Sequence, residues 1–150
     1  MIITLSVGFA AMVVCLFVQG SLLFLATRYY IGHLSWVRTS SRAMAMVLIS
    51  QVMLMLVLGN LLQVAIWAFL FIFLGEFGDF QTAYYHSLVN FSTLGYGDIV
   101  MSERWRALGP LQAINGVLMI GVSTASITSV VQDTFERSRL FEQGRGGPDL

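Results

Sequence analysis

The residues best placed to do chemistry form one short string, Thr93-Leu-Gly-Tyr-Gly-Asp98, in which Gly95 and Gly97 alternate with the bulky Leu94 and Tyr96. Glycine reaches backbone angles closed to other residues, so two glycines at alternate positions let successive carbonyls turn toward one axis while the larger side chains turn away. The product is a column of oxygens. Neutral carbonyls without thiolate or imidazole suit a hard, weakly held cation, and a row of them replaces a hydration shell without trapping the ion. No competing chemistry is visible: there is no clustered set of His or Cys ligands, no glycine-rich phosphate loop, and no nucleophile with a histidine and a carboxylate at useful spacing. The expectation is a chain that is not an enzyme and uses no organic cofactor. Cys15, the only cysteine, lies within an apolar run and reads as a buried, inert thiol.

Such a string needs elements to hold it, and the composition says where they lie. The chain has 150 residues, of which 57% are hydrophobic and 11% charged, against about 25% charged in an average soluble domain. A water-soluble fold is excluded. All eight basic residues are arginines balanced by eight acidic ones, so no basic surface exists to hold a nucleic acid. Three charge-free stretches, 1–27, 43–75 and 107–132, each exceed the ~20 residues that a helix needs to cross the hydrocarbon core. No positive charge precedes the first, its apolar run is long, and Arg28 follows directly, which favours an uncleaved helix over a secretory signal.

The string follows the second stretch, in a segment from Asp79 to Asp98 that is too apolar for an exposed loop and too short to cross twice. Asp79 is a plausible N-cap for a helix from about Phe80 to Ser92, which at 1.5 Å per residue reaches about 20 Å into the bilayer. Non-helical backbone at that depth is tolerated only where protein buries it or where it lines a wet cavity. The segment is therefore read as re-entrant, and the residues after Ser92 as lining something.

Thr93-Leu-Gly-Tyr-Gly-Asp98 resembles the filter signature of tetrameric potassium channels. The resemblance extends to the span before it, the aromatic-rich short helix with Tyr84 and Tyr85, and the span after it, covering roughly Ala43 to Glu136. It implies that Thr93, Leu94, Gly95, Tyr96 and Gly97 supply potassium-coordinating oxygens, with the Thr93 hydroxyl at the inner end and Asp98 at the outer mouth. Passive, selective potassium conduction is the function implied, with K+ as the permeant ion. A nonconducting or weakly selective pore-like subunit that acts through partner or lipid binding is the alternative. Leu94 replaces the commoner valine. Val89 stands where some members carry a glutamate paired with the filter aspartate, which leaves Tyr85, His86 or water as partners for Asp98. One string cannot encircle an ion, so a homotetramer around one axis is expected.

The fold class expected is all-α and integral to the membrane: three transmembrane helices plus a re-entrant pore helix and filter loop, assembled as a fourfold channel. Its parts are an additional N-terminal helix (1–28), an interfacial loop (29–42), the pore module (43–136) and a disordered tail (137–150). Arg28, Arg38 and Arg42 lie between the first two spans without an acid among them, so that loop is placed in the cytoplasm. The N-terminus is then outside and the C-terminus cytoplasmic, in a plasma or inner membrane. Tyr29, Tyr30 and Trp36 fit an interfacial aromatic belt.

Other polar residues carry plainer readings. Gln51, Asn60 and Gln63 lie inside the second span and read as interhelical hydrogen-bonding groups. His86 reads as a packing residue more than a pH sensor. The third span is rich in small and hydroxyl residues, which serve close helix packing or a wetted face below the filter. By similarity to the family, Gly116 or Gly121 would be the hinge of the inner helix; spacing does not choose between them. Asp133 and Glu136 would form acidic rings in a tetramer. Lipids surround the spans, and an unidentified membrane partner is a possible ligand of the first helix.

Overall fold

A run of charge-free apolar residues has no cheaper way to satisfy its backbone in lipid than an α-helix, and the three runs adopt that form. The computed structural model describes residues 1–34 and 42–145. Helix α1 covers Ile2–Gly32, α2 Arg42–Phe73, α3 Phe80–Phe91 and α4 Leu108–Arg145; there is no strand among the described residues. Three stretches, Ile2–Gly32, Ala43–Phe73 and Leu108–Arg137, are long and apolar enough to cross a membrane. The fold is all-α and belongs in a membrane. Thirty helical residues measure about 45 Å against a hydrocarbon core of about 30 Å, so each span tilts or projects beyond it.

Helix α3 starts where its sequence dictates. Asp79 is extended, with φ −137°, and its Oδ1 accepts the Thr82 N–H at 2.8 Å, which satisfies one of the orphan donors of the first turn. The helix ends at Phe91, with Ser92 as its cap. It packs on both α2 and α4. Helix α1 also packs on α2 and α4 but makes no contact with α3, so the α2/α4 pair separates α1 from α3.

Two cores hold α1 in place. At the end where α4 begins, Cys15, Trp67, Phe71, Met101, Trp105 and Leu108 cluster; at the opposite end Ala26, Tyr30, Leu48, Val52 and Leu56 do. A third cluster of Val64, Phe91 and Met119 seats the end of α3 between α2 and α4. Close approach is made by small residues: a Cβ on Gly59 would collide with Leu22, and one on Gly8 with Leu111. This is the small-residue packing that membrane helices use when no hydrophobic effect pushes them together.

Two expected boundaries move. Helix α1 runs through Gly32, past the division expected at residue 28. Thr27 to Ile31 contains no helix breaker, and the Tyr29 and Tyr30 hydroxyls donate to Gln51 on α2 and to Asp133 on α4. Helix α4 continues through Arg145, over most of the stretch expected to be disordered from 137. There an i,i+4 pair of Asp133 and Arg137 supports the helix at 2.7 Å. Trp36 and Arg38 lie outside the described residues, as does 146–150.

Candidate functional site

Helix α3 positions the string by offering it backbone acceptors. The last carbonyls of a helix have no intrahelical partner, and here they receive the N–H groups that follow: Thr93 N–H bonds Asn90 O at 2.9 Å, and Leu94 and Gly95 N–H bond Val89 O at 3.0 and 3.3 Å. The first three donors of the string thus face back toward the end of α3. Among the described residues none of the carbonyls of 93–97 accepts a hydrogen bond from the chain.

The backbone angles alternate. Thr93, Gly95 and Gly97 have φ of 60°, 59° and 72°, whereas Leu94 and Tyr96 between them do not enter the left-handed region. Regular alternation rotates every second peptide plane, so that successive carbonyls face one way. Glycine adopts these angles without a Cβ penalty. For Thr93 the left-handed form costs about 1–2 kcal/mol, and it is the only non-glycine residue with positive φ among those described. Local strain of this kind is found at functional sites that their surroundings over-determine. Leu94 and Tyr96 remain 54% and 67% exposed within one chain, surface that neighbouring copies or a lumen would meet.

The outer end of the string is tied to α3 by two side chains. The Tyr85 hydroxyl donates to Asp98 Oδ2 at 2.7 Å, which holds the Asp98 carboxyl below the usual carboxylate range and pushes the Tyr85 phenol up. Of the three partners expected for Asp98, tyrosine is the one present. His86 lies 3.0 Å from Ile99 O through Nδ1 and 2.8 Å from Asn90 Nδ2 through Nε2. A neutral ring with its proton on Nδ1 satisfies both contacts. Burial favours that neutral form by pushing the His86 pKa down, so the residue packs between α3 and the chain beyond the filter. Behind the string a cavity of about 210 Å³ is lined by His86, Asn90, Gly95, Gly97, Arg106 and Gly109, among others. Farther out, Glu76 accepts both the N–H and the hydroxyl of Ser102 at 2.6 Å, joining the end of α2 to the loop before α4.

The two glycines of α4 differ. Gly116 lies against the backbone carbonyl of Phe91, the last residue of α3, and any Cβ there would overlap it. Gly121 has open space around it. Gly116 is thus a close-packing residue, whereas a Cβ at Gly121 would meet nothing within the chain. Gly121, Thr124, Ala125 and Thr128 are exposed and recur at helical spacing on one face of α4. Ser123 points away from them, buried against α1 and α2. The small residues therefore serve packing on one face and leave a wettable stripe on another. Asp133 is not a free member of an acidic ring, because Arg137 Nε and the Tyr30 hydroxyl both donate to its Oδ2.

Sequence reasoning missed Asn90, whose i,i+4 spacing from His86 on α3 was the available signal. It also missed Glu76, for which no local pattern gives Ser102 as partner. It placed Gln51, Asn60 and Gln63 correctly as interhelical groups without naming their partners, Tyr29 and Gln19 on α1 for the two glutamines and Ser123 on α4 for Asn60.

Comparison with curated proteins and with solved structures yields no match. A family model described as an ion channel matches residues 55–133, from within α2, through α3 and the string, to the far part of α4. The matched region covers more than half of the chain, and the protein is a member of this ion-channel family.

Proposed function

We propose that the chain is a potassium-selective channel subunit and that four copies surround one axis, each contributing the carbonyls of Thr93, Leu94, Gly95, Tyr96 and Gly97. The observation that carries this reading is the alternation of left-handed and ordinary backbone angles along 93–97, combined with N–H groups bound to the end of α3. Carbonyls freed from internal bonds are available to replace the hydration shell of K+. The Thr93 hydroxyl adds a ligand at the inner end, and the ionised Asp98 attracts cations at the outer mouth. Below the filter, the stripe of Gly121, Thr124, Ala125 and Thr128 lines the water-filled vestibule. Each α3 brings its C-terminal end, worth about half a negative charge, toward that vestibule, and four such ends favour a cation there.

Transport is passive, and no bond is made or broken. The α1/α2 connection and the C-terminus face the cytoplasm, with the N-terminus and the filter mouth outside. Purified protein in liposomes tests the reading: potassium-driven flux together with a fourfold mass in native mass spectrometry supports it. A stable fourfold assembly that passes no ion would refute it.

A further inference from the structure

Helix α1 lies outside the matched region, yet Gln19, Tyr29 and Tyr30 on it reach inward to the other two long helices. At mid-membrane, Gln19 is 3% exposed; its Nε2 donates to Ser123 Oγ on α4 at 2.9 Å, and its Oε1 accepts from Gln63 Nε2 on α2 at 2.7 Å. Nearer the far end, two adjacent tyrosines divide the same task. Tyr29 donates to Gln51 Oε1 on α2 at 2.8 Å; Tyr30 donates to Asp133 Oδ2 on α4 at 2.8 Å and lies 2.9 Å from the Thr134 hydroxyl. A buried polar group that loses its partner bears its desolvation cost, so these bonds, those of the buried Gln19 above all, resist separation of the helices they join. At two levels, α1 cross-links the outer and the inner helix of the pore module.

The level of these links matters. Helix α4 is clamped near its filter end, where Gly116 abuts the Phe91 carbonyl, and has room at Gly121. Gly8 of α1 packs on Leu111 before Gly121, whereas both hydrogen-bonded links from α1 to α4, at Ser123 and at Asp133/Thr134, fall beyond it. Bending of α4 at that glycine would carry the far part of the helix away from Gln19 and Tyr30, or drag α1 along with it.

We infer that Gln19 and Tyr30 are positioning residues through which α1 sets the conformation of the inner helix, so that the additional helix is a built-in gating element of the channel. Neither residue touches the ion; both act through α4. The inference rests on the channel reading proposed above. Replacing Gln19 with Leu or Tyr30 with Phe removes the bond while leaving most of the side-chain volume, and both changes weaken the hold on the conformation described here. They shift the open–closed equilibrium in the same direction, by about threefold or more each, the factor that one net hydrogen bond allows.

Single-channel recording of the full-length protein in planar bilayers tests this, with open probability and reversal potential measured on the same patches. The expected result is an altered open probability in both variants with an unchanged reversal potential, and restoration toward wild type in Gln19→Glu, whose buried carboxyl in its neutral form still accepts from Gln63 and donates to Ser123. Gln19→Leu and Tyr30→Phe channels within twofold of wild-type open probability, or shifted in opposite directions, would overturn the inference while leaving the channel reading intact. Tyr30→Phe removes only one hydroxyl, so it remains informative if Gln19→Leu does not assemble. A wild-type protein that passes no current would overturn the channel reading and this inference with it.

Discussion

Gly116 on the inner helix lies against the carbonyl oxygen of Phe91 at the end of the pore helix, with no space for a side chain between them. That contact lies where α3 ends and the string begins, beside Asn90 O and Val89 O, which receive the first three N–H groups of the string. Gly116→Ala forces two backbones apart, and overpacking of this kind costs about 1–3 kcal/mol. Gly121→Ala meets nothing and gains about 0.5–1 kcal/mol of helix propensity. Thermal unfolding in detergent checks the pair: Gly116→Ala lowers the midpoint, and Gly121→Ala leaves it equal or higher.

The Tyr85–Asp98 bond gives the outer mouth a defined response to acid. The folded-state pKa of Asp98 is depressed, so its stabilising contribution is fully present above the ordinary carboxylate value and is lost as pH falls through the lower folded value. Conduction should persist into acid below the usual carboxylate range. In Tyr85→Phe the carboxyl loses its donor and its pKa rises, so the loss of current moves to higher pH. Outside-acid titration of the current checks this, and coincident curves for wild type and variant would contradict it.

Much of this arrangement is legible in the residues themselves. Absence of charge set the three spans, Asp79 set the start of the pore helix, and the glycine alternation at 95 and 97 anticipated the left-handed angles that the backbone adopts. Left-handed Thr93 was not legible, since its own side chain disfavours that form and only the carbonyls of α3 impose it. The extension of α1 to Gly32 was hidden for a related reason. Arg28 looks like the end of a span, whereas the helix continues because Tyr29 and Tyr30 bond to residues some 20 to 100 positions away. Local periodicity carries no record of such contacts. Nor does spacing alone distinguish Gly116 from Gly121, which differ only in what stands opposite them.

The arginines argue against a strong voltage switch. A charge that crosses the whole field is worth about 2.3 kcal/mol per 100 mV. Arg28 sits in the last turns of α1, and Arg137 is paired with Asp133 at the far end of its span. Steady-state current in planar bilayers should vary little in steepness with voltage. A severalfold rise in open probability within about 20 mV would contradict this, because it demands several charges moving through the field.

Topology is open to chemical labelling. In a Cys15→Ser background, single cysteines at positions 38 and 150 should resist an impermeant thiol reagent added outside intact cells, and cysteines at positions 1 and 103 should react. The arginine placement before and after α2 sets this expectation. Labelling of position 38 from outside would reverse it.

Ion selection by the backbone of 93–97 is tested most directly by the reversal potential of purified channels under opposed potassium and sodium gradients, in wild type and in Gly95→Ala. Gly95 has φ 59°, and a methyl group there opposes the angle that turns its carbonyl inward. Wild-type reversal should follow the potassium gradient at about 59 mV per tenfold change, and the variant should insert in the membrane yet lose potassium-selective current. A wild-type reversal potential that ignores the potassium gradient, or a Gly95→Ala channel with unaltered selectivity, would contradict the assignment of these carbonyls as the filter.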